Sequence, residues 1–243
     1  NGSPVNRKGA RVYAPCGARG RARSLREARR TMTGCLVFVA RQPRQSSPCP
    51  ESGSASVPKN ARIGTVAQEA PGGPESLLDT VMAGDKEREA LLAEAETATE
   101  PHRIAEIQIR LADIEAHSAP ARAAIILAGL GFSEEAQNGP CSALSGGWRM
   151  RVALAAALFG APDVLLLDEP TNYLDLEGTI WLKSYIRDYP HTILLVSHDR
   201  DLLNEAVDSI LHLDQGKLTI YVGNYDNFER QRREKQALTL KMK

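Results

Sequence analysis

The chain has 243 residues, 42% of them hydrophobic and 25% charged, with a formal net charge of zero, so it can bury a sizeable core and suits one large domain or a domain plus an extension. Its longest apolar runs, such as residues 164–167 and 193–196, fall far short of the ~20 residues of a membrane-spanning helix, which leaves no candidate span. Cys16, Cys35, Cys49 and Cys141 show no C-x-x-C spacing, so neither a zinc site nor a disulfide framework is indicated and a reduced compartment is the expectation.

The head of the chain stands apart from the rest. Before residue 50, eleven Arg and Lys residues face a single acid, Glu27, so the remainder is acidic overall. The head is rich in Gly, Pro and Ser, contains no Asp, and has one short strand-like run, residues 35–40. Residues 1–53 are therefore expected to be poorly ordered. They read as a basic arm that binds RNA phosphates, an Arg-rich transit segment, or residues foreign to the domain, as an out-of-frame reading of GC-rich coding DNA would give.

From Lys59 onward the pattern is regular. "ARIGTVAQE" alternates and is β-rich, predicting a strand over residues 62–68 that ends at "APGGP". Helical spacing predicts one helix from Pro74 and Glu75 to about residue 98. A second runs from Pro101 to about residue 117 with Ile104, Ile107, Leu111 and Ile114 on one face, and a third from about Pro120 to "GLGF". A helical layer over about residues 75–160 follows.

Next comes "ALSGGWRMRVALAAALF", residues 143–159, in which a serine and two glycines open a helix carrying Arg149 and Arg151 near its start. Positive charge there opposes the helix dipole by roughly 0.3–1 kcal/mol each unless an anion is near. The arginines either face such an anion, point into solvent, or pair with Glu134 and Glu135. "DVLLLDEP" and "HTILLVSHD" then read as central parallel strands buried on both faces. Between them "LEGTIWLKSYIRDYP" reads as a helix, residues 200–207 as another, and "SILHLDQGKLTIYVG" as a hairpin turning near Gln215 and Gly216. Beyond Asn224 the chain is charged and helix-favouring, the start of a linker helix over residues 224–243.

Strands alternating with helices imply an α/β layer with a mostly parallel sheet, whose ligands bind at the carboxyl ends of the strands. Those ends carry Asp168 and Glu169 on one strand and Ser197, His198 and Asp199 on the next. Adjacent carboxylates repel unless they share a cation or proton, so a divalent metal at Asp168 is one resolution and simple helix capping the other.

Together these motifs resemble those of ATP-binding cassette (ABC) ATPases. "LSGGWRMR" resembles the signature motif, "VLLLDEPT" the Walker B strand, "YLD" at Tyr173 to Asp175 the D-loop, and "VSHDR" the switch histidine; Gln68 falls where the Q-loop glutamine falls. "EPTNYLDLEGTIWLKSYI", "SHDRDLLN" and "GNYDNFE" look like the ABC-F branch, with Tyr173 in place of its usual histidine. The resemblance covers about residues 54–243. It implies a P-loop NTPase-like cassette with a small helical subdomain, truncated in its N-terminal part, in which residues 54–223 form a partial ATPase domain.

The resemblance also implies roles. Ser145, Gly146 and Gly147 would grip the γ-phosphate held by a second ABC cassette, Asp168 would hold Mg²⁺ through water, and Glu169 would polarise the attacking water. His198 would contact the γ-phosphate, Gln68 would complete the metal and water shell, and Asp175 would bridge the two cassettes. The expectation is ATP binding and hydrolysis in a cytoplasmic, ribosome-associated protein contacting rRNA or tRNA. Against this, no G-x-x-x-x-G-K-[ST] loop occurs anywhere in the chain, so ATP held in cis is not expected. The missing initiator methionine and the end inside a helix are expected of a fragment. A non-hydrolytic interaction module, the nucleotide-binding subunit of an ABC transporter and a chromosome-maintenance ATPase are the alternatives.

Overall fold

The computed structural model describes residues 35–40, 58–59, 61–67, 69, 71–214 and 217–241. Among these, six strands form one sheet: β1 Cys35–Ala40, β2 Ile63–Thr65, β3 Val164–Asp168, β4 Thr192–Val196, β5 Ser209–Asp214 and β6 Lys217–Val222, in the order β2-β3-β4-β1-β5-β6. β1 to β5 are parallel, and β6 returns antiparallel to β5 as the hairpin pattern predicts. The apolar runs of β3 and β4 thus become neighbours, with Asp168 in register with Val196. That register brings the two chemistry-bearing strand ends side by side.

The helices are α1 Leu77–Met82, α2 Lys86–Thr97, α3 Pro101–Asp113, α4 Ala119–Gly129, α5 Glu134–Gln137, α6 Gly146–Phe159, α7 Leu176–Arg187, α8 Arg200–Glu205 and α9 Tyr225–Lys241. The expected single helix over residues 75–98 is two. A side chain at Gly84 would collide with the Ala156 carbonyl oxygen, 2.3 Å from an ideal Cβ. The chain breaks there so that α1 can lie close to α6, and Asp85 caps the new helix by accepting from Arg88 N at 3.1 Å. The helix expected to reach residue 117 ends at Asp113, because Glu115 takes a left-handed φ of 52°. The strand expected over residues 62–68 is only Ile63–Thr65, an edge strand paired to β3 alone.

One core joins sheet and helices: Leu165, Leu167, Ile193, Leu195 and Ile210 pack with Leu77, Leu127, Val152, Leu158, Leu182, Leu202 and Phe228. α2 and α3 build a separate small cluster around Ile107 and Leu111. Their surface is laced by ion pairs such as Arg103 to Glu94 and Arg110 to Glu87, both at 2.6 Å, which at this exposure add little stability. Ile104 stays exposed, outside the expected stripe.

Two expectations about the sheet change. Among the described residues β3 and β4 contribute one face to the core cluster, and the alternate residues Leu166 and Leu194 are half-buried and stand outside it. β1 lies inside the sheet between β4 and β5, although it belongs to the basic head that composition separates at residue 53. The other residues of that head, apart from β1, lie outside the described ones.

Candidate functional site

At the carboxyl end of β3 the chain turns abruptly from strand into the short 3₁₀ turn Pro170–Tyr173. Asp168 ends the strand exposed. Glu169 makes the turn with a left-handed φ of 45°, a conformation that costs a non-glycine residue roughly 1–2 kcal/mol. Its N–H donates to Val196 O at 2.8 Å, which fixes the residue against the end of β4. The strained turn swings its carboxylate across to the neighbouring strand end.

There it meets His198. Glu169 Oε1 lies 3.2 Å from His198 Nε2, an ion pair when the imidazole is protonated, and Oε2 accepts from His198 N at 3.3 Å. The carboxylate is largely enclosed, 21% exposed against 72% for the imidazole. Oε1 is enclosed and makes no hydrogen bond of good geometry among the described residues, so its contact with the imidazole is electrostatic. The neighbours of His198 do scaffolding work. Buried Ser197 accepts from Asp199 N at 3.1 Å, and Asp199 caps α8 by accepting from Asp201 N and Leu202 N at 2.9 and 3.0 Å. The loop is locked while its histidine faces outward.

The signature turn is built differently. Ser145 is the N-cap of α6 in extended conformation, yet its hydroxyl makes no capping bond. Ser145, Gly146 and Gly147 are exposed, and a Cβ on either glycine would meet nothing within 4 Å. Each glycine in a helix lowers stability by up to about 1 kcal/mol relative to alanine. Packing among the described residues does not ask for them. What they leave is a bare helix N-terminus with free amides, the geometry that receives phosphate oxygens.

Arg151 does not reach that turn. It is 9% exposed, donates from Nη1 to Leu130 O at 3.2 Å and to Asp175 Oδ2 at 2.9 Å, and from Nε to Tyr173 O. Its guanidinium stacks on Trp148, 4.2 Å from the ring centroid. The expected anion and solvent readings both fail for this arginine, because helical periodicity aims it at the core rather than at the helix start. Arg149 is half-buried, with Nε enclosed and unpartnered and no bond to Glu134 or Glu135 among the described residues.

Asp175 uses both carboxylate oxygens within the chain. Oδ1 caps α7 by accepting from Gly178 N at 2.9 Å, and Oδ2 takes the Arg151 bond. The Gly178 amide first, and the guanidinium second, hold its carboxyl below the usual carboxylate range. Sequence reasoning missed the supporting residues Trp148, Leu130 and Gly131. Gly131 alone left a signal, since its φ of 93° and a Cβ that would sit 3.2 Å from Arg151 Nη1 both demand glycine.

The fold therefore joins Glu169 to His198, and Arg151 to Asp175, but makes no hydrogen bond from the signature turn to either pair among the described residues. Gln68 lies outside the described residues. No group of three or more His, Cys, Asp or Glu side chains that could hold a metal occurs among them. Asp168 offers hard oxygen donors that suit Mg²⁺, with the other ligands left to phosphate and water.

The ABC transporter family profile matches residues 49–172, half of the chain. This chain belongs to the ATP-binding cassette family. The cassette is 45% identical over 190 residues to "Probable ATP-binding protein YheS" of Escherichia coli K12, covering 77% of this chain and 30% of that protein. It is 44% identical over 193 residues to human "ATP-binding cassette sub-family F member 3", covering 75% of this chain and 27% of that protein. It thus spans under a third of the length of these relatives. Among solved structures, an ATP binding subunit of an ABC transporter matches at TM-score 0.52 and 16% identity, covering 82% of this chain and 81% of that one. An archaeal ribosome recycling factor, aABCE1, in complex with stalk protein aP1, matches at TM-score 0.51 and 18% identity over 83% of this chain and 37% of that one. At those identities the likeness speaks for the fold. No described helix of the cassette is long and apolar enough to cross a membrane.

Proposed function

We propose that this chain is part of a sub-family F type ATPase, cytoplasmic and acting on the ribosome in translation, in which two cassettes close head to tail over ATP. One observation carries the reading, the Glu169–His198 pair at adjacent strand ends, and the Ser145-Gly146-Gly147 turn, with nothing within 4 Å of a Cβ on either glycine among the described residues, supports it. In this reading Glu169 orients and polarises the attacking water, His198 donates to the γ-phosphate, and the signature amides receive the γ-phosphate of the partner cassette's nucleotide. Asp168 and Gln68 would hold Mg²⁺ through water, and the ion, when bound, neutralises charge on the phosphoryl oxygens.

The ribosomal part rests on the sub-family F resemblance alone, since a basic run such as "ERQRREKQALTLKMK" is usually a solvated helix face. A second reading, a non-hydrolytic docking module, is favoured by one fact: the sequence holds no G-x-x-x-x-G-K-[ST] loop.

Calorimetry with Mg-ATP and phosphate release, each with the chain alone and with a cassette that carries that loop, tests the proposal. The chain alone should neither bind tightly nor hydrolyse. With the partner, it should tighten nucleotide binding, and Ser145→Arg should abolish the gain. A partner that binds and turns over ATP identically with and without this chain refutes the ATPase reading. Failure to pellet with ribosomes refutes the ribosomal one.

A further inference from the structure

The first turn of α6 has little of its own to fix its direction. Ser145 makes no capping bond, and a Cβ on Gly146 or Gly147 would meet nothing within 4 Å. The anchors come one turn later. Trp148 and Arg151 share a helix face at i and i+3. The Trp148 ring meets buried Phe132 edge-on at 5.1 Å and carries the Arg151 guanidinium on its face at 4.2 Å.

That guanidinium also holds a second part of the site. Residues 170–175 lead from β3 into α7. Among the described residues, Arg151 is the one side chain from another element that hydrogen-bonds to them, at Tyr173 O and Asp175 Oδ2. Its third bond, to Leu130 O at 3.2 Å, ties the fork to the end of α4. Asp175 needs no arginine to cap α7, because Oδ1 does so through Gly178 N. Room for the fork is built in: a Cβ at Gly131, whose φ is 93°, would sit 3.2 Å from Nη1. A planar group with five donors fixes direction as well as distance, which an apolar side chain filling the same space would not. Arg151 is thereby enclosed, at 10% side-chain exposure, while the carboxylate it holds stays 51% exposed.

Resting on the ATPase reading, we propose that Arg151 is a positioning residue for ATP turnover. It locks the Ser145–Gly147 amides and the Asp175 carboxylate into one rigid surface facing the partner cassette and its nucleotide. Phosphoryl transfer is catalysed by positioning and charge neutralisation, so donors displaced by about 1 Å lose up to about a hundredfold in rate. Contact with the bound phosphate persists, and the loss falls on kcat rather than on KM.

Arg151→Lys keeps the charge but replaces the fork with one ammonium. The 243-residue chain is mixed in saturating excess with a cassette that carries a G-x-x-x-x-G-K-[ST] loop, so that an unfolded fraction does not count. Phosphate release is then followed over a range of Mg-ATP concentrations. With the lysine variant, kcat should fall at least about tenfold while KM stays within about twofold of the parent's. A purely structural role leaves the saturated kcat unchanged. In the chain alone, the Arg149, Leu174 and Gly178 amides are hydrogen-bonded beside the junction. Their hydrogen exchange should quicken at least about tenfold, and by more than that of β3 and β4. Gly131→Ala crowds Nη1 without removing the charge, and serves if the lysine variant unfolds. An unchanged kcat, or exchange that rises equally throughout the chain, overturns the proposal. A parent chain that adds nothing to the partner's turnover, with the variant's faster exchange still confined to the junction, overturns the ATPase reading instead and leaves Arg151 as the lock between turn and loop.

Discussion

Replacing Arg151 with methionine removes the guanidinium that ties the signature helix to the D-loop while keeping most of its apolar packing. The two main-chain acceptors, Leu130 O and Tyr173 O, lose a charged donor worth about 1.5 kcal/mol each at the lower end for such bonds. The contact with half-exposed Asp175 adds no more than about 1 kcal/mol, and stacking on Trp148 about 0.5–1 kcal/mol. Allowing for non-additivity within one cluster, the loss is about 3–4 kcal/mol. For a domain of this size that lowers Tm by about 6–16 °C. Urea unfolding followed by far-UV circular dichroism is the assay, because Trp148 fluorescence would respond to the lost stacking itself. Arg151→Lys should recover less than half of the loss, since one ammonium cannot serve three acceptors held in a fork. A methionine variant within about 1 kcal/mol of the parent, or a lysine variant equal to it, would refute the reasoning.

Three further outcomes are expected. Gly146→Ala meets no neighbour and should leave stability unchanged or raise it by up to about 1 kcal/mol, while nucleotide coupling to a partner cassette is lost; a destabilised variant would show an intrachain role. Gly131→Ala must hold a φ of 93° beside Arg151 and should cost about 2 kcal/mol in urea unfolding. His212 is buried between Tyr221 and Phe228, and burial first, then Arg232, push its pKa down. The unfolded chain therefore takes up the proton first as pH falls. Stability is full above about pH 6.5 and declines as pH drops through the depressed folded value, and His212→Phe should remove that slope.

The elements that carry the candidate site were legible in one dimension. The helix that opens at Ser145 and the strands that lead to Asp168 and His198 follow from a few adjacent residues, the strands announcing themselves as apolar runs. The hairpin of β5 and β6 likewise follows local rules, because turn formation depends on neighbours in the chain.

Tertiary structure decided the rest. Gly84 breaks a helix because Ala156, 72 positions away, needs the space. Arg151 becomes a clamp because α4, the Pro170–Tyr173 turn and α7 converge on it from three places in the sequence. Apolar runs say that a strand can be covered on both faces, but only the sheet order and the direction of each crossover determine whether a layer is there to cover it. The sequence by itself determined which residues stand at the carboxyl ends of β3 and β4. Which of its charges are spent internally, and which strand residues join the core, depended on contacts between residues far apart in the chain, where no local pattern reaches.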